Sequence, residues 1–342
     1  MRIGASTRAG GHPLGMNLRL SVLDQSPISE GASAGDALRN TVELARRCDA
    51  LGYLRYWVAE HHGTPALACT SPEALIGPLA AATSRMRIGS GGVMLPHYSP
   101  FKVAETFSLL SSLYPSRIDL GLGRASGTDP RTSLALQRDR SGSFPDDFPE
   151  QLGELLAYLS NGIPAQHPFS RQGEALASLE KPEPWLLGSS PQSAIWAAQL
   201  GLPYAFADFI NREGAAYTAI YRERFQPSAL LAAPRVVVAA WALVADTDAE
   251  AERLASSSRM LFQLFRAGRL IPVPSVERAQ EFLGKNPSSI SRRTIIGSPG
   301  KVRGGLEALA AEYGAEEVMV VTIAHDPAAR ARSYELLARA FA

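Results

Sequence analysis

Residues 53–63 read YLRYWVAEHHG, an apolar run that ends in Glu60 and the adjacent pair His61 and His62. Along a strand successive side chains point to opposite faces, so neighbouring histidines share a surface only where the strand stops. The stretch is read as a second strand whose C-terminal mouth carries the pair. In parallel α/β folds that mouth is where ligands bind.

Outward from this strand, the chain alternates. A first strand is expected over 18–23, with a helix from Asp36 whose apolar positions Leu38, Val42, Ala45, Cys48 and Leu51 put Cys48 on the buried face and which stops at Gly52. Further strands are read at 86–95, 117–124, 185–188, 204–207, 235–244 and 318–323. Ser71-Pro72, Ser99-Pro100, Ser190-Pro191, Ser298-Pro299 and Asp326-Pro327 each announce a helix, a capping residue followed by a proline that fits the first helical turn. Thr247 with Glu250 forms a capping-box signature, and Pro149 opens a helix to Leu159. The segment 163–184 is read as an irregular excursion. Eight strand-plus-helix units without a linker predict a single (β/α)8 TIM barrel over 18–342, with insertions at the C-terminal face of the strands. The main insertion, about 247–294, is expected to act as a lid, and 1–17 to be a flexible N-terminal tail.

Composition narrows the function. The 342 residues carry a formal net charge of +1 with no basic block, so neither nucleic acid nor a membrane surface is an expected partner. Two cysteines, Cys48 and Cys69, make neither a disulfide framework nor a zinc site. No apolar run approaches the roughly 18 residues of a membrane span, and a cytoplasmic location is expected.

Three further places carry chemistry. The run 121–127, GLGRASG, misses the dinucleotide-loop spacing, but in a barrel it sets Gly123 and Arg124 at a strand mouth, where an arginine can fork onto a phosphate. The loop 188–193, GSSPQS, joins hydroxyls to the free amides of a helix N-terminus and suits an anion. Gly91 and Gly92 in the third strand leave room for a flat ring. A metal centre on Glu60, His61 and His62 is disfavoured, because consecutive histidines do not readily chelate one ion; no metal is expected.

Together, WVAEHHG, RIGSGGVMLPHYSP, RIDLGLGRASGTDP, WLLGSSPQSAIWAAQLGLPYAFADF and IIGSPGKVRGGLEALAAEYGAEEVMVVT, in this order, resemble the bacterial luciferase-like flavin monooxygenase family, from Leu18 onward. The resemblance implies a barrel that binds reduced FMN across its mouth and oxidises a small organic substrate with O2 through a C4a-peroxyflavin. By position, His61 matches the family's base, flanked by Glu60 and His62. Arg124, Ser189, Ser190 and Ser193 match the phosphate site, with Gly123 beside it. Gly91-Gly92 matches a bulge that carries a non-prolyl cis peptide in relatives. Gly123 stands where the light-emitting enzyme has a cysteine, so light is not implied, and Ser189 replaces a glutamate of its phosphate loop. Relatives suggest a homodimer. With no nicotinamide motif in the chain, a separate flavin reductase is the expected FMNH2 donor. The rival readings are an F420-dependent oxidoreductase on the same fold, whose branch generally lacks EHH, and a non-catalytic flavin-binding barrel.

Overall fold

The computed structural model describes residues 18–124, 129–136, 147–287 and 293–342. The tail expected over 1–17 lies outside the described residues, as do parts of 125–148 and 284–293. Strands β1 (Arg19–Asp24), β2 (Arg55–Val58), β3 (Arg87–Met94), β4 (Ile118–Gly123), β5 (Glu183–Gly188), β6 (Tyr204–Ala207) and β7 (Val236–Val244) pair in chain order, each parallel to the next. A short β8 (Ile295–Gly297) hangs on the end of β7. β9 (Glu317–Val321) pairs with both β7 and β1 and closes an eight-stranded parallel cylinder, the expected barrel.

Around it run α1 (Ala34–Ala50), α2 (Pro72–Ala82), α3 (Pro100–Leu113), α4 (Pro130–Leu136), α5 (Phe148–Leu159), α6 (Ser170–Leu176), α7 (Pro191–Gln199) and α8 (Gly214–Arg224). They are followed by α9 (Asp248–Arg266), α10 (Val276–Lys285), α11 (Pro299–Tyr313) and α12 (Pro327–Phe341). The serine-proline starts hold, but only Ser190 adds a side-chain bond; at Ser71, Ser99 and Ser298 the proline opens the helix without one. Asp36 does not open α1: Ser33 is its cap, and Asp36 closes a capping box with it three residues on. β8 has three residues and α4 and α6 seven each, too short for a period to show, which is why the sequence reading passes over them. β2 stops at Val58, so His61 and His62 belong to the loop beyond it rather than to the strand.

Alternate strand residues face out and in. Val22, Tyr56, Ile88, Leu120, Val238 and Val318 pack under the helices, while Leu23, Trp57, Trp185, Val237 and Met319 fill the barrel. One level below this filling, at the strands' N-terminal ends, the interior is ionic. Arg55 donates to both Glu317 oxygens at 3.1 and 3.2 Å and to Asp119 at 2.9 Å. Arg87 reaches Asp119 at 2.7 Å and Glu183 at 3.1 Å, and Arg235 pairs with Glu183 at 2.7 Å. Trp57 Nε1 donates to Asp119 at 2.9 Å, and the guanidinium groups of Arg55 and Arg235 stand 4.7 and 5.1 Å from the Trp185 ring. This layer plugs the barrel floor. At the other end, Arg330 of α12 donates to the buried Asp24 at 2.6 Å and ties the last helix to the first strand. Burial alone would raise the Asp24 pKa, but Arg330, by its charge and its hydrogen bond, and two further hydrogen bonds from Tyr56 and the Ser26 backbone hold it below the usual value.

The insertion after β7 packs α10 on α9 through Met260, Leu264 and Ala279. Its described residues are fastened to the mouth: Glu30 N donates to Val273 O and Val273 N to Ile28 O, both at 2.8 Å, while Ile28 N donates to Ala66 O at 2.7 Å. An Arg278–Glu30 ion pair lies beside these bonds.

Arg55→Ala leaves Glu317 and Asp119 buried with a cation missing, and is expected to cost about 3–5 kcal/mol of folding free energy. Urea unfolding reads this directly; a loss below about 1 kcal/mol, as for a surface pair, would contradict it.

Candidate functional site

A cavity of about 540 Å³ opens at the C-terminal mouth of the barrel. It is lined by Glu60, His61, Gly91, Gly92, Gly123, Arg124, Ser189, Ser190 and Ser193, so nine of the ten residues singled out in the sequence meet in one place. The tenth, His62, is not among the lining residues.

At one end the chain leaves β2 and bends. Ala59 N still donates to Asp24 O, and His61 N donates to Cys69 O, both at 3.0 Å, which fixes the backbone on either side of Glu60. The His61 Nδ1 is buried without a hydrogen-bond partner among the described residues. Burial brings the imidazole down from 6.5 to about 4, opposed by a hydrogen bond with the Ala59 backbone and aided by His62, so the ring is neutral at pH 7. His62 turns aside: its Nε2 lies 2.8 Å from Glu60 Oε1, and its ring meets His97 edge-on with centroids 6.1 Å apart. Glu60 is buried, its Oε2 accepts the Met94 N–H at 2.9 Å, and the Tyr98 hydroxyl hydrogen-bonds to it as well. One carboxylate thus joins the histidine loop to the end of β3. Behind it sits Glu73, which the sequence reading passes over as a first-turn acid of α2. Its Oε2 has no partner among the described residues, and burial, with Glu60 nearby, raises its pKa.

The middle of the site is the glycine segment of β3. The Gly91-Gly92 peptide is cis, and the register with β4 shifts between Gly91 and Val93. A Cβ on Gly92 would stand 2.8 Å from the Gly121 carbonyl oxygen, and one on Gly91 2.5 Å from Leu23 Cδ1. No side chain fits either position, and the cavity floor stays flat backbone.

At the far end lies the N-terminus of α7. The Ser190 side chain accepts from Ser193 N at 3.4 Å. The Ser193 hydroxyl donates to Ser190 O at 2.8 Å and lies 2.9 Å from the Tyr204 hydroxyl, so it braces the turn from within. Asn211 Nδ2 holds Ser189 O at 3.0 Å. What this turn offers an anion is chiefly its amides, the unpaired donors of a helix start. Arg124 is exposed at the end of β4 with its guanidinium 5.8 Å from the Trp196 ring centroid, and Trp196 stacks at 5.5 Å on Phe148.

Gln25, Trp57, Phe148, Trp196, Phe209, Ile210 and Met319 also line the cavity and escape the sequence reading. Two of them had a signal: Gln25 directly follows β1 at the same mouth, and Trp196 lies one helical turn beyond Ser193 on the same face. Among the described residues no group of acidic, histidine or cysteine side chains suits a metal ion. No helix among them is long and apolar enough to cross a membrane.

The cavity's residues suit a flavin-type cofactor: a floor of glycine backbone, amides and an arginine suited to a phosphate, and a buried imidazole nitrogen at the other end. Comparison with known proteins gives the family. The family model described as luciferase-like monooxygenase matches residues 16–317. The uncharacterized protein YwcH of Bacillus subtilis is 46% identical over 94% of this chain and 99% of its own length. The N-acetyl-S-alkylcysteine monooxygenase of the same species is 38% identical, over 94% of this chain and 98% of that one. The crystal structure of apo-MsnO8 superposes with a TM-score of 0.84 at 39% identity, covering 95% of this chain and 98% of the other. The chain, barrel and mouth together, belongs to the luciferase-like monooxygenase family.

Proposed function

We propose that the protein is an FMN-dependent monooxygenase that oxidises a small organic substrate with O2. The observation that carries this reading is the juxtaposition, across the Gly91-Gly92 floor, of a buried neutral imidazole and an anion-binding helix start. Arg124 and the amides of Ser190 to Ser193 would hold the phosphate, and the glycine floor would bear the ring. Reduced FMN, delivered by a separate reductase, supplies the electrons that activate O2.

The chain's own residues do the rest. His61, neutral at pH 7, is able to take a proton and return it without first losing one. Its backbone is held by the bond from His61 N to Cys69 O, and Glu60 before it is engaged by His62 and by the Met94 amide. Leu23, Trp57, Leu187, Val237 and Met319 surround the inner cavity with apolar surface and exclude the water that would divert activated oxygen. The activity named for the N-acetyl-S-alkylcysteine relative makes a thioether a sensible first substrate to try.

His61→Ala is expected to bind FMN within about threefold of wild type while losing roughly 10²-fold or more in oxygenated product, the usual weight of a positioned acid–base group. Anaerobic titration and ¹⁸O incorporation separate the two; undiminished incorporation would remove His61 from the mechanism. Arg124→Ala is expected to weaken FMN by about 10- to 100-fold, as the loss of a charge-assisted hydrogen bond does, and to leave riboflavin unchanged.

The pH dependence follows from His61. Its folded pKa is depressed, so as pH falls from 6.5 towards about 4 the unfolded chain takes up a proton that the folded chain refuses, and stability is lost in that window. His61→Ala should lessen that loss in urea titrations at pH 4.5–6.5, a range set by the same shift. An equal loss in the variant would contradict it.

A further inference from the structure

We propose that Trp196, backed by Phe148, closes the phosphate end of the cavity and selects a flavin that ends in a phosphate monoester over one whose phosphate carries a further chain. This rests on the flavin reading above. Trp196 follows Ser193 by three residues on α7, so both project from one helix face, the indole about one turn behind the serine. Both residues line the cavity, as does Phe148 at the start of α5. The indole is half-buried and stacks on Phe148, whose ring is 1% exposed and part of the main core with Leu152 and Leu155. The wall is therefore anchored, since moving Phe148 would disturb a packed core. Arg124 lies over the indole, which sets wall and cation against the same group.

A monoester presents only oxygens here, and the α7 amides with Arg124 suffice for them. A phosphate that carries a further chain, through the pyrophosphate of FAD or the phosphodiester of the deazaflavin F420, must continue past this point and has the indole and the Phe148 ring in its way. The structure thus assigns cofactor choice to a ring one turn behind the anion site rather than to any group at the isoalloxazine.

The test titrates anaerobically reduced FMN, FAD and F420 into wild type, Trp196→Ala and Trp196→Phe, followed by flavin fluorescence or calorimetry. Wild type is expected to bind FMN at least tenfold more tightly than FAD or F420. Trp196→Ala should gain absolute affinity for FAD or F420 by about fivefold or more, while Trp196→Phe, which keeps a ring on Phe148, should keep the discrimination. Arg124→Ala should weaken FMN without any such gain. If FMN binds and Trp196→Ala, folded as judged by circular dichroism and melting, gains nothing for FAD or F420, the inference falls and the flavin reading stands. Failure of wild type to bind any of the three would overturn both.

Discussion

The rest of the molecule depends on the Arg55 guanidinium, held between Glu317 and Asp119 at the bottom of the barrel. Few groups are costlier to bury, and this one is tolerable because carboxylates from β4 and β9 converge on it while the Trp185 ring covers its face. The geometry works in both directions. The ionic layer requires a closed cylinder, since its members come from β2, β3, β4, β5 and β9 together with Arg235, directly before β7. Once formed, it shuts the floor and leaves the C-terminal mouth as the place for a ligand.

That division explains why the site is polar at its two ends and apolar between them. The ionic layer lies at the opposite end of the barrel and the Asp24–Arg330 pair faces α12, so no carboxylate figures in the shift of the His61 imidazole. Glu60 is close in sequence but turned to His62, Tyr98 and the Met94 amide. The result is an imidazole whose basicity is set mainly by desolvation.

Much of this was legible in the sequence, for identifiable reasons. The barrel could be read because serine-proline and aspartate-proline starts punctuate long apolar periods, and the site because its residues all follow a strand end. Three things were not legible. Charged residues such as Arg55, Arg87, Glu183 and Glu317 begin strands, where exposed flanking charge looks the same on paper; only closure of the cylinder turns them inward. His62 is set apart from His61 only by the resemblance, and its departure from the cavity goes with Glu60 reaching across to β3. The Ser193 hydroxyl matched an anion ligand by position, yet it is engaged by Ser190 O and Tyr204. Each case turns on a tertiary partner distant in sequence.

The backbone bonds between the insertion and the loop after β1 bear on traffic. A segment held by Val273 to Ile28 and Glu30 forms a fixed bank of the mouth. Ile210, at the end of β6, is 67% exposed and also lines the cavity. An apolar solute that settles on this side chain sheds water there, before it reaches the interior.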